Sequence, residues 1–204
     1  MFRAALRRQA RRDAPALVQG ANTLRAIVPS DYEAWAETAS SCEAYLRRMQ
    51  PRWPEGHLTA SAYRARQRLF DEDRLTGRGH AWHIWADKPD RLVGAIRLSG
   101  IERGGARTGR LGYWIAEREA GRGYATSAVE AACAYAFGTL RLARVEAAHM
   151  PENVASARVL AKAGFSREGL ARSYVQIDGT RRDHVLLARL ATDPAPLASN
   201  AEAR

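Results

Sequence analysis

Lysine is nearly missing from this chain. Lys88 and Lys162 are the only two among 204 residues, so arginine supplies almost all of a formal charge of +10. Cysteine is as scarce. Cys42 and Cys133 cannot build the disulfide framework of a small secreted domain, and a reducing, cytoplasmic setting fits. Long apolar runs are lacking too. A membrane helix needs about 20 apolar residues in a row, and the nearest stretch, 125–140, is broken by Glu130. Residues 1–12 are rich in arginine but have no apolar core, so they read as a basic tail rather than a secretory signal. Histidines are few and scattered. His80 and His83 fall on a predicted strand at odd spacing, which sends them to opposite faces, so no metal site is expected.

What is present is the composition of a globular domain. Hydrophobic residues make up 46% and charged residues 26%, in a length that supports one core. Residues 1–20 read as a flexible basic tail, 21–192 as a single domain and 193–204 as a second tail. The positive charge suits an acidic partner such as nucleic acid, the ribosome or a polyphosphorylated cofactor, although an arginine- and alanine-rich composition also follows from a GC-rich genome.

The pattern predicts a strand over Thr23–Val28, then a capping box at Ser30-Asp31-Tyr32-Glu33 opening a helix toward Arg48. Pro51 to Gly56 is a loop, and a further helix covers Thr59 to Asp73. Strands follow at His80–Ala86, Leu92–Leu98 and Arg107–Ala116, the first two joined by a turn at Asp87-Lys88-Pro89-Asp90. A helix over Gly123–Phe137 carries the stripe Ala125, Val129, Ala132, Cys133 and Ala136, whose small residues allow close approach to a sheet. Val145–Met150 is a strand. Asn153 caps the next helix, and Gly164 ends it with Phe165 packing back. Strands Tyr174–Ile177 and His184–Leu190 flank the hairpin turn Asp178-Gly179. The order is that of an α+β domain on a mixed sheet.

The strand Leu111 to Ala116 runs into Gly121-Arg122-Gly123 and then into a helix. Such a turn offers free main-chain N–H groups at the positive end of a helix dipole, a seat for phosphate. Three better-known motifs fail. A dinucleotide fingerprint needs Gly or Ala where Thr126 stands, no glycine is followed by lysine as a P-loop requires, and no G-x-S-x-G elbow occurs.

From Leu111 to Leu190 the chain resembles the GNAT acetyltransferases, and among them the Rim-type ribosomal-protein-alanine N-acetyltransferases. The resemblance rests on Gly112-Tyr113-Trp114-Ile115, Gly121 to Ala125, Met150 to Ser156, Ala163 to Gly169, Ile177-Asp178-Gly179 and Arg182-Asp183-His184. It implies a mostly antiparallel mixed sheet with helices on both faces and a splayed central strand pair. It also implies acetyl-CoA as donor and a primary amine as acceptor. The pyrophosphate would be held by Gly121, Arg122, Gly123, Tyr124, Ala125 and Thr126. The pantetheine arm would lie along the main chain of Trp114, Ile115 and Ala116 and reach Asn153. The family's usual Gln or Arg three residues before the central glycine is Ala120 here.

Direct attack by the amine requires a proton for the leaving thiolate and a base for the amine. Ser156 matches the serine that protonates the thiolate in Rim-type relatives, while the tyrosine used elsewhere in the superfamily is replaced by Leu160. A relative's glutamate base is replaced by Val175, which leaves Glu146, acting through water, as the candidate. Trp53 and Tyr174 are the candidate acceptor contacts, and Asp183 and His184 hold the hairpin or line the acceptor end. Three functions remain open: acetylation of a protein N-terminus, especially a ribosomal protein beginning with alanine; acetylation of a small amine such as an antibiotic or polyamine; and a non-enzymatic ribosome- or RNA-binding module. A monomer or homodimer, associating with the ribosome but not a membrane, is expected.

Overall fold

The computed structural model describes residues 15–20, 22–87 and 90–196. Lys88 and Pro89, the centre of one expected turn, and most of both expected tails lie outside these residues. In chain order the elements are β1 (Leu17–Gln19), β2 (Asn22–Ala26), a 3-10 turn (Pro29–Asp31), α1 (Tyr32–Ser41), α2 (Glu43–Arg47), α3 (Ala60–Leu75), β3 (His80–Asp87), β4 (Asp90–Glu102), β5 (Thr108–Ile115), a second 3-10 turn (Glu117–Glu119), α4 (Tyr124–Gly138), β6 (Arg144–His149), α5 (Val154–Lys162), β7 (Ser166–Ile177) and β8 (Thr180–Leu190). Leu17–Gln19, within the expected tail, instead pairs with β2 as an edge strand. Three residues are too short to show a strand period.

One sheet runs β1-β2-β3-β4-β5-β6-β8-β7. Every described neighbour pair is antiparallel except β5 with β6. That parallel pair is short. It holds for Thr108↔Arg144, Gly109↔Val145 and Arg110↔Glu146, after which no pairing continues, although β5 runs on to Ile115 and β6 to His149. The central strands therefore part halfway along their length. Gly112 on β5 and Ala148 on β6 are exposed, although both belong to central strands.

Helices cover both faces. On one, α4 and α5 pack Val129, Ala132, Cys133 and Leu160 onto Trp82, Ile96, Leu111 and Val145. Side chains as large as Val129 and Leu160 each contribute about 1.5–3 kcal/mol by such burial. Cys133 is a free thiol whose pKa burial pushes up to about 12, so it serves as a small hydrophobe. On the other face, α1 and α3 build an aromatic layer with Trp35 and Tyr63 over Ile27, Ala81 and Leu92.

Local signals in the sequence act largely where expected. Thr59 caps α3, its Oγ1 accepting from the Ala62 N–H. Gly164 takes φ +79° after α5, and Phe165 enters the core with Leu160. Asp178 and Gly179 both have positive φ in the β7–β8 hairpin. The cap before α1 differs. Asp31, not Ser30, reaches back to the Val28 N–H (3.3 Å), and the same Oδ2 binds His83 Nδ1 at 2.9 Å. The tertiary partner on β3 recruits the carboxylate, so the local Ser–Glu exchange does not form.

Candidate active site

The parted strands open a cavity of about 910 Å³ whose lining includes Tyr113, Trp114, Glu146, Asn153, Ser156 and Tyr174. Its β5 wall has a main-chain edge without a partner strand. Ala116 donates its N–H to the Val93 carbonyl at 2.8 Å, on the β4 side. The antiparallel ladder alternates, so Trp114 turns its N–H and C=O toward β4 as well, while Tyr113 and Ile115 turn theirs toward the gap. Of the expected run Trp114–Ile115–Ala116, the open main chain thus belongs to Ile115, with Tyr113 in place of Trp114 and Ala116. The sequence held this information only as a strand period whose phase it could not set.

Beyond β5 the chain turns through Gly121 (φ +79°) and Gly123 (φ +84°) into α4. No side chain caps this helix, and its first internal bond is Ser127 N–H to the Gly123 carbonyl. The N–H groups of Gly123, Tyr124, Ala125 and Thr126 lie ahead of that bond and point out from the helix end, as an anion site requires. Arg122 is more than half exposed and lies 3.6 Å from Glu119, which is itself held by Arg91 at 2.7 Å. The guanidinium of Arg91 draws the Glu119 carboxyl below its usual range. Glu119 is nearly buried, so the pair fixes the base of the turn and leaves Arg122 at its rim.

On the opposite wall, Asn153 caps α5 through Oδ1, which accepts the Ser156 N–H at 3.0 Å. That bond fixes the first turn of α5, and with it Ser156. Ser156 Oγ lies 2.9 Å from the Tyr113 hydroxyl across the gap. Burial pushes the Tyr113 phenol up to about 12, so it stays protonated and can donate. Tyr113 was visible in sequence only as part of a strand motif. Strand alternation offered a signal for its face, but its partner depends on where α5 docks.

Glu146 stands at the vertex, on the last position of β6 that pairs with β5. Its Oε1 accepts from Arg144 Nε at 2.9 Å, and Arg144 also grips Glu168 of β7. The vertex carboxylate is therefore half of an ion-pair bridge between two strands, rather than a lone exposed group. Val175 lines the cavity and offers no carboxylate. Trp53 packs against Trp35 and Trp114, with ring centroids at 6.5 and 6.2 Å, and forms part of the aromatic wall. Tyr174 sits 5.7 Å from His184, also in the lining. Asp183 accepts the Ser173 N–H at 2.8 Å and braces the irregular step in β7. Among the described residues no group of His, Cys, Asp or Glu could hold a metal ion, and no helix is long and apolar enough to cross a membrane.

An Acetyltransferase (GNAT) domain family matches residues 22–166. The chain belongs to the GNAT acetyltransferase family and is an acetyl-CoA-dependent N-acetyltransferase. It is 38% identical over 139 residues to the Probable N-acetyltransferase YjcK of Bacillus subtilis, a match covering 68% of this chain and 77% of that protein. It is 32% identical over 168 residues to the [Ribosomal protein uS5]-alanine N-acetyltransferase of Escherichia coli, covering 81% and 87%. Mycobacterium smegmatis RimJ, solved in complex with CoA-disulfide, superposes with a TM-score of 0.80 at 29% identity over 87% of this chain and 86% of that one.

Proposed function

We propose that this protein transfers the acetyl group of acetyl-CoA to the α-amine of a protein N-terminus, a ribosomal protein beginning with alanine being the preferred acceptor. The observation that carries this reading is the gap between β5 and β6, which joins an unpaired main-chain edge to an aromatic chamber on the α1–α3 face. Coenzyme A enters from the glycine turn. Its pyrophosphate takes the free N–H groups of residues 123–126 and the charge of Arg122. Its pantetheine arm pairs with Tyr113 and Ile115 as an added strand and reaches Asn153.

The neutral amine nitrogen attacks the thioester carbon, so that a C–N bond forms and the C–S bond breaks. Sulfur leaves as thiolate and takes the Oγ proton of Ser156, which the Tyr113 hydroxyl holds in place and which regains a proton from water in the cleft. The proton of the attacking nitrogen passes through water to Glu146. Proton transfer from a placed group contributes about 10²–10⁴-fold in rate.

The chamber favours a peptide over a polyamine or aminoglycoside. Its lining holds four arginines, at 66, 97, 110 and 144, against the glutamates at 146 and 168 and the Asp73 that pairs with Arg97, which leaves one net positive charge. A polycation would meet net repulsion there, whereas an extended peptide presents carbonyls and apolar side chains. This reading also puts the protein in the cytoplasm with the ribosomal proteins. The test is mass spectrometry of peptides beginning with alanine after incubation with acetyl-CoA and the protein. An acetyl group on the terminal nitrogen supports it. Acetylation of small amines and of no N-terminal peptide overturns it.

A further inference from the structure

We propose that Arg66 selects acceptors that carry a carboxylate close to the amine, an inference that rests on the acetyl-transfer reading above. Arg66 projects from α3 into the chamber lining. Its guanidinium carbon lies 4.2 Å from the centroid of the Trp35 ring and 6.0 Å from that of Tyr63. Contact with Trp35 holds the group in place without neutralising it. Its Nη2 is buried and has no hydrogen-bond partner among the described residues. Burial draws its pKa down, but a guanidinium stays charged at neutral pH.

Carboxylates in and around the chamber are already engaged. Asp31 Oδ2 takes both His83 Nδ1 and the Val28 N–H. Asp73 binds Arg97 at 2.7 Å, and Arg144 bridges Glu146 and Glu168. Among the described residues Arg66 is left as a partly desolvated cation outside these ion pairs. Such a charge is costly, and an incoming anion offsets the cost. Among anions an amine acceptor can carry, a carboxylate suits the remaining N–H donors that Arg66 turns to the chamber.

The carboxylate has two possible sources, an acidic side chain early in a peptide and the α-carboxylate of a free amino acid.

The full-length protein is tested with acetyl-CoA and three amidated peptides that differ only after the N-terminal alanine, with two glutamates, two serines or two lysines there. Free aspartate and its diamide form the second arm. The expected kcat/KM favours the glutamate peptide over the serine peptide by about tenfold, the scale of one charge-assisted hydrogen bond. Arg66→Gln removes that ratio and Arg66→Lys keeps part of it, while coenzyme A affinity by calorimetry stays the same in both. If aspartate rather than the peptide shows the Arg66-dependent preference, the carboxylate comes from the amino acid and Arg66 still reads it. An equal ratio in wild type and Arg66→Gln, with all peptides acetylated, overturns the role of Arg66 and leaves N-terminal transfer standing. Coenzyme A binding without acetylation of any peptide or amino acid overturns the acceptor reading, and Arg66 selection with it. Should Arg66→Gln not fold, the wild-type ratio and its loss or retention in Arg66→Lys decide the matter.

Discussion

Tyr113 and Ser156 stand 43 residues apart in sequence and meet hydroxyl to hydroxyl at 2.9 Å across the gap between β5 and α5. Both residues are half-buried and both line the cleft. In the proposed mechanism Ser156→Ala lowers kcat by about 10²-fold, the lower range for a lost acid. Tyr113→Phe costs about fivefold, the scale of one neutral hydrogen bond. Burial pushes the Tyr113 pKa up to about 12, so its loss leaves the shape of the pH–rate profile unchanged below about pH 10. Thiol release with a peptide acceptor measures both, and an unaltered kcat in Ser156→Ala removes the serine from the chemistry.

Gly123 holds φ +84° at the N-terminus of α4, and a Cβ there would meet nothing within 4 Å. A larger residue therefore disturbs the turn but not the packing. Holding an L-residue in this left-handed region costs about 1–2 kcal/mol. Gly123→Trp also lays an indole over the free N–H groups. Calorimetry should show coenzyme A affinity reduced by more than about tenfold (1.4 kcal/mol per decade), with the circular dichroism spectrum retained.

Gly94 presents the reverse case. A Cβ there would sit 2.1 Å from the Trp114 carbonyl oxygen and 3.1 Å from the Ile115 Cα. Both atoms belong to β5 and cannot swing aside. Gly94→Ala must spread β4 from β5, at about 1–3 kcal/mol or more for an overpacked site. Urea unfolding measures this, and a rise in the KM for acetyl-CoA should accompany it because β5 is a wall of the cleft.

Acid should loosen the protein in two stages. Burial, with Arg74 and Arg103 nearby, draws the His80 pKa down to about 4 from 6.5. Between those values the unfolded chain binds a proton that the folded chain does not, so stability falls as pH falls through this window. A shift of that size corresponds to about 3 kcal/mol, all of it present above pH 6.5. Paired carboxylates such as Glu119, held below their usual range by arginine, add a second loss at lower pH. Urea midpoints at pH 7, 5 and 4 should decline in wild type and decline less in His80→Gln.

Signals that depend on neighbours in the chain were readable before any coordinates. The glycine turn, the Asn153 cap, the stop at Gly164 and the Asp178-Gly179 hairpin each need a particular backbone angle or a side-chain oxygen a few residues away. Ser30 shows the limit of such reasoning, because Asp31 was drawn instead to His83 on a strand 52 residues distant. Glu146 shows it again. A lone strand carboxylate in sequence becomes part of a bridge once Arg144 can reach Glu168 on β7.

The sequence alone determined the element order from β2 onward, the glycine turn before α4 and the caps and stop of α5, because these follow from φ preferences, capping and strand period. Tertiary structure decided which main-chain edge of β5 is open, which hydroxyl meets Ser156 and which ring Arg66 lies against. Those three depend on register between strands and on where helices dock, and such distances are set only when the whole sheet closes around its core.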